Sequence, residues 1–230
     1  MDKELKYCQT LYVRNWVSNS FIIHYRVIGA MLWLALYLMV QASFPLYYNI
    51  LYASHWALFL TTLYSCYNAI ASLEITRPHF KKYDRLRYGY FFYQLAFSFN
   101  VITSLMFWLF LKDQLLAEHP KVYQKALLLM IHTVPVIYFS IGEVLITRVA
   151  FYEPYFVHAF VLFTAYMLIN MIAVIDDQLV LYRILKWNSM EDFYMLGLIY
   201  MAFTGIYYLM CRVTKDRIEF ALKDPNINLL

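Results

Sequence analysis

The sequence predicts an all-α, polytopic membrane protein: one bundle of six transmembrane helices with both termini in the cytosol. Three observations carry that prediction. Of 230 residues, 63% are hydrophobic and 15% charged, with a mean hydropathy of +0.52, a balance unsuited to a water-facing surface. Six apolar runs are each long enough to cross a hydrocarbon core of about 30 Å, which takes about 20 helical residues. Lysine and arginine are divided unequally between the two ends of those runs, the asymmetry that orients membrane helices.

In chain order the runs are 21–42, 50–73, 88–111, 122–147, 155–175 and 193–211. Ahead of the first, the polar stretch MDKELKYCQTLYVRNW has neither a short apolar core nor a small-residue cleavage site, so no cleaved signal peptide is expected. The first connection is uncharged and contains Pro45; the second carries Arg77, Lys81, Lys82, Arg85 and Arg87 and belongs in the cytosol. With those five, Lys3, Lys6, Arg14, Arg26, Arg148, Arg212, Lys215, Arg217 and Lys223 make fourteen basic residues on one side. Lys112, Lys121, Lys125, Arg183 and Lys186 make five on the other. Short connections make successive helices antiparallel neighbours, so residues 1–230 form a single transmembrane domain. No internal repeat is visible, and the sixth run is the shortest. The 23 tyrosines and 18 phenylalanines suit interfacial anchoring at helix ends.

Cys8, Cys66 and Cys211 show no CxxC or CxxxC spacing, which argues against a disulfide framework and a zinc site. The net charge of +4 is spread over helix ends; membrane lipids with anionic headgroups are the expected partners, and nucleic acid is not. His24, His55 and His158 fall near helix ends and His79 and His119 in connections. No second histidine shares the depth of His132, as a haem between two histidines requires, and no paired His-x-x-His motifs exist for a di-iron centre. Neither a metal nor an organic cofactor is therefore expected.

The polar residues inside the runs are the informative ones. Thr61 lies about ten residues inside the second run and His132 ten inside the fourth; both runs enter from the same side, which places both near the midplane, about 15 Å down. Ser54, Thr61, Ser65, Asn68 and Ser72 share one face of the second helix, and that face should point into the bundle. Asn100, Thr103, Ser104 and Asn170 sit at middle depths on the third and fifth runs. Hydroxyls and amides in such places usually serve interhelical packing. A histidine is costlier there and titrates near neutral pH, so His132 is the stronger functional candidate. Glu143 follows eleven residues later, nearly three α-helical turns, on the same face but roughly 16 Å away. It reads as a structural group nearer the cytosolic side.

A hydroxyl nucleophile with an imidazole base is the smallest acyl-transfer constellation. Thr61 or Thr62 with His132 supplies it, and Ser65 or Asn100 is placed to stabilise an oxyanion. The run His55-Trp56-Ala57-Leu58-Phe59-Leu60-Thr61-Thr62, then Leu95-Ala96-Phe97 and Phe107-Trp108, then His132-Thr133-Val134-Pro135 through to Glu143, resembles the androgen-induced-protein and rolling-stone-like family of six-helix membrane proteins. The stretch from Leu179 to Trp187 is similar to that family's loop before helix six, with Arg183 at its usual proline. The resemblance implies a threonine hydrolase of fatty acid esters of hydroxy fatty acids. Its histidine falls on His132 and its threonine on Thr61 or Thr62. The expectation is thus an intramembrane ester hydrolase with Thr61 as nucleophile, His132 as base, and Thr62, Ser65 and Asn100 around the substrate. The alternative is a non-catalytic membrane protein, an interaction partner or lipid-contacting subunit of a larger complex, as the rolling-stone branch implies.

Overall fold

A computed structural model describes residues 19–74, 82–146, 151–177, 182 and 185–223. Expectations that fall elsewhere, including Cys8, Arg183 and, in the basic second connection, Arg77 and Lys81, lie outside the described residues. Among the described residues there is no strand, only an isolated bridge between Tyr182 and Leu185.

Each predicted run becomes a helix. These are α1 (Asn19–Ser43), α2 (Ala53–Glu74), α3 (Lys82–Met106), α4 (Val122–Ile137), α5 (Phe156–Asp177) and α6 (Met190–Lys223). A helical turn at Tyr48–Leu51 leads into α2, and a 3-10 turn at Glu153–Tyr155, carrying Pro154, leads into α5. Two helices change pitch before they end: α3 continues through a π turn at Phe107–Leu111 into Lys112–Glu118, and α4 continues as π-helix over Tyr138–Ile146. The sixth helix extends well beyond its predicted end. Hydropathy marks only its apolar part, whereas the following residues contain no glycine or proline before Pro225 and continue the helix.

Five of the helices are long and apolar enough to cross a membrane, over Ile23–Ser43, Tyr88–Glu118, Val122–Val144, Glu153–Ile175 and Met190–Lys215. The exception is α2, which has the length but is too polar. Its position explains this. It packs against α1, α3 and α4, and Ser54, His55, Thr61, Thr62, Ser65, Asn68 and Ser72 are all buried there. Its polar face meets other helices, so a narrower apolar strip with Phe59, Ile70 and Leu73 is all that it turns outward. The other helices turn more large apolar side chains outward, among them Met31, Leu32, Leu109, Val161, Ile172 and Leu209. So much exposed apolar surface fits an acyl-chain solvent.

Aromatic rings fill the interior. Phe163 stacks on Phe203 with centroids 4.5 Å apart, joining α5 to α6. Phe97 meets Phe151 edge to face at 5.0 Å, and Phe139 meets Tyr64, Tyr93 and Phe97. Such rings offer large contact areas with few rotatable bonds.

Two expectations about charge change with the fold. Arg26, counted above with the cytosolic surface charges, is only 1% exposed, and its Nη1 donates to Ser72 Oγ at 3.1 Å. Glu143 is fully buried, with Tyr25, Tyr64 and Tyr138 as its neighbours. Pro135 leaves Ile131 O without its helical donor, and the π-helix that follows takes an extra residue per turn. That slip rotates the later residues by roughly one α-helical position, about 100°. Glu143 therefore lies beside Tyr25, Tyr64 and Tyr138, away from the ring of His132.

The contact between α1 and this segment is close. A Cβ on Gly142 would lie 1.8 Å from Tyr25 Oη, so the phenol occupies space that only glycine leaves open. Gly142→Ala is expected to destabilise the protein by about 1–3 kcal/mol, the usual cost of overpacking a tight contact. Thermal unfolding in detergent measures it, with Gly197→Ala, where a Cβ meets nothing, as the control.

Candidate functional site

His132 is held by the helix that carries it. Its Nδ1 lies 2.7 Å from Leu128 O, and because a carbonyl only accepts, Nδ1 bears the proton. In its neutral form the ring then offers Nε2 as an acceptor. Phe107, presented by the π turn of α3, stacks on the imidazole with centroids 4.0 Å apart and planes 18° from parallel. Ser104 Oγ donates to the backbone oxygen of His132, tying α3 to α4 at the same level. Rotamer, tautomer and tilt of this ring are thus each set by a separate contact.

The ring lines a narrow cleft of about 50 Å³, space for a few water molecules or the tip of an acyl chain. Its walls are mostly apolar: Ile102, Met106, Leu111, Leu128, Phe163 and Met167. Its polar groups are Ser54, His55, Thr103, His119, His132, Tyr166 and Tyr182. Histidines expected at helix ends and in connections are therefore gathered around one space, with Phe44 between two of them, 5.8 Å from His55 and 5.3 Å from His119. They do not make a metal centre: among the described residues no group of three or more His, Cys, Asp or Glu is arranged to hold an ion.

Tyr182 and Leu185, which precede α6, also line the cleft. Tyr166 Oη donates to Leu51 O at 3.0 Å, so Tyr182 donates to Tyr166 across 3.1 Å and accepts from Ala53 N at 3.1 Å. That bond satisfies a free N–H at the start of α2. Burial pushes the Tyr182 phenol up from its ordinary range, which keeps it a neutral donor. The Asp192 carboxylate then gathers the turn, accepting from the backbone N–H groups of Lys186, Asn188 and Ser189 at 2.9–3.0 Å and from Ser189 Oγ. Trp187, at φ 57°, reaches back to Asn170 Oδ1 through its indole N–H at 3.1 Å. Left-handed backbone at a bulky residue is strained, and it occurs where neighbouring contacts hold it.

Thr61 stands apart from this cleft. It is fully buried, its hydroxyl donates to Ala57 O at 2.7 Å, and it accepts from Asn100 Nδ2 at 2.8 Å. Thr62 donates to Leu58 O at 2.9 Å. Thr61 is bonded to Asn100, whereas no hydrogen bond joins Thr61 to His132 and Thr61 does not line the cleft. Ser65 is buried lower on α2, near Tyr138, and Thr62 lies toward Trp33 on α1.

The sequence reading missed the second polar centre, in which Arg26, Glu143, Tyr25, Tyr64, Tyr138, Ser65 and Ser72 lie together among α1, α2 and α4. One signal for it was available. Arg26 lies five residues inside the first apolar run, too deep for a simple boundary residue.

No protein-family model, no curated protein and no solved structure matches the chain. Function must therefore be argued from the two polar centres.

Proposed function

We propose that the chain is a multi-pass membrane protein with six spans and both termini cytosolic, in the plasma membrane or an endomembrane, and that its His132 cleft receives the apolar part of a lipid. One observation carries this reading: with Nδ1 committed to Leu128 O, the neutral ring of His132 keeps Nε2 as an acceptor, and the ring lines a cleft whose walls are mostly apolar. Hydrophobic pockets with a few placed polar groups are the usual form of a small-molecule site. The preferred ligand then has a hydrogen-bond donor, such as a lipid hydroxyl, at the end of a chain thin enough for the cleft.

Cleft occupancy is measurable with a photoreactive long-chain alcohol in reconstituted vesicles. Adducts on the segments around Ile102–Met106 and Phe163–Met167 are expected, and His132→Leu should weaken retention about fivefold, the worth of one modest hydrogen bond. The methyl ether of the same alcohol should be insensitive to that substitution. Adducts confined to outward-facing residues such as Leu109 and Ile172 would remove the cleft as the site.

Ester hydrolysis with Thr61 as nucleophile and His132 as base draws support from the same tautomer, since the open Nε2 is the nitrogen that takes a proton. It requires Thr61 to leave Ala57 O and turn toward the ring. A fluorophosphonate probe decides the matter. Labelling of the wild type that is lost in both Thr61→Ala and His132→Ala is the result expected of the enzyme; an unlabelled, folded wild type rejects it.

Orientation rests on the lysine and arginine distribution, which loses Arg26 from the cytosolic count and keeps its direction. Epitope tags at both ends should be digested by protease added to the cytosolic face of sealed microsomes, and protection of either tag contradicts the orientation.

A further inference from the structure

We propose that the outer groove between α1 and α4 is a seat for one phospholipid, with an acyl chain along the groove and the headgroup phosphate on Lys121. The seat shares no lining residue with the His132 cleft, so it stands whether or not the cleft takes a ligand.

The groove is built where α1 ends and α4 begins. Met39, Ala42 and Ser43 line it from α1, and Tyr123, Ala126, Leu127 and Met130 line it from α4. Leu127 is buried, while Ala42 and Ala126 contribute only methyl groups and so leave depth that larger side chains would fill. Met39 and Met130 are half exposed, and their unbranched side chains adapt to an irregular guest. The space amounts to about 320 Å³, several times that of the cleft and within the range of small-molecule sites.

Two hydrogen bonds fix this shape. Gln124 Nε2 donates to Ser43 O at 3.1 Å, which clamps the end of α1 to the first turn of α4. Ser43 Oγ donates to Met39 O at 2.6 Å, spending its hydroxyl on its own helix, and the lining stays mostly apolar.

Charge stands at one end. The Lys121 ammonium lies 5.9 Å from the ring centroid of Tyr123, so a ring that lines the groove also places the cation at its mouth. Lys121 is exposed and, among the described residues, pairs with no carboxylate. From Tyr123 to Met130 the α4 wall runs about 10 Å along the helix axis, and no charged residue lines it. A cation at the helix start with an apolar channel leading inward matches the polarity of a phospholipid, phosphate outward and chain inward. A groove of that length holds part of one chain; a partner helix would need contact along far more of a core of about 30 Å.

The test places the full chain in phosphatidylcholine vesicles doped with a phosphatidylglycerol that carries a diazirine in one acyl chain. Photo-adducts should concentrate on residues 39–43 and 123–130, and Lys121→Gln should lower them about threefold, within the worth of one exposed ion pair. Lys112→Gln is the control. Its ammonium also stacks on a ring, that of Trp108 at 5.0 Å, but this ring does not line the groove, so labelling should stay unchanged. Ala126→Phe, which fills the groove, should abolish the adducts there; if it does not fold, the two lysine variants decide. Labelling spread evenly over outward residues such as Ile172 and Leu209, equal loss in both lysine variants, or no loss in Lys121→Gln overturns the proposal. So does protection of the groove within a cross-linked dimer, which would make a second copy its occupant.

Discussion

A bilayer offers no partner to a buried polar group, and that constraint organises this bundle around α2. Its serines, threonines, asparagine and histidine cannot face acyl chains, so α1, α3 and α4 cover that face. The enclosing helices answer its groups one by one. Asn100 of α3 donates to Thr61, Arg26 of α1 donates to Ser72, and Tyr182, beyond α5, accepts from Ala53 N. Each such bond contributes modestly, roughly 0.6 to 2 kcal/mol, but leaving the groups unmet is costlier, and this selects the arrangement.

Departures from α-helical pitch position the chemistry. The π turn in α3 lays Phe107 on the imidazole, and the longer π segment of α4 turns Glu143 toward Tyr25 and Tyr64. With uniform pitch, His132 and Glu143 would have shared one face. The slip instead gives α4 two functional faces, one on the cleft and one on the ionic cluster, and Gly142 lets Tyr25 approach closely enough to join the second. Glu143 is the clearest case of a residue whose surroundings follow from helix pitch rather than from spacing.

Much of the fold was legible in the sequence. Long apolar runs predict helices of the observed positions because their length is tied to a physical thickness, and the polar face of α2 was correctly directed inward by its spacing. The site was less legible. Residue counting places Thr61 and His132 at one depth, yet depth says nothing of azimuth: Thr61 turns to Ala57 and Asn100, and His132 to Phe107 and the cleft. His55 and His119 looked peripheral because each lies near a helix end, and helix packing then brought those ends around one space.

By itself the sequence determined an all-helical chain with long apolar segments, an inward polar stripe and a buried histidine beside a proline. These properties depend on composition and period, which are local. Only the tertiary structure decided that Arg26 is interior, that Glu143 lies among Tyr25, Tyr64 and Tyr138, and that three histidines line one cleft. Those outcomes depend on helix rotation and pitch, which π turns and interhelical hydrogen bonds set, and neither has a period that a linear reading detects.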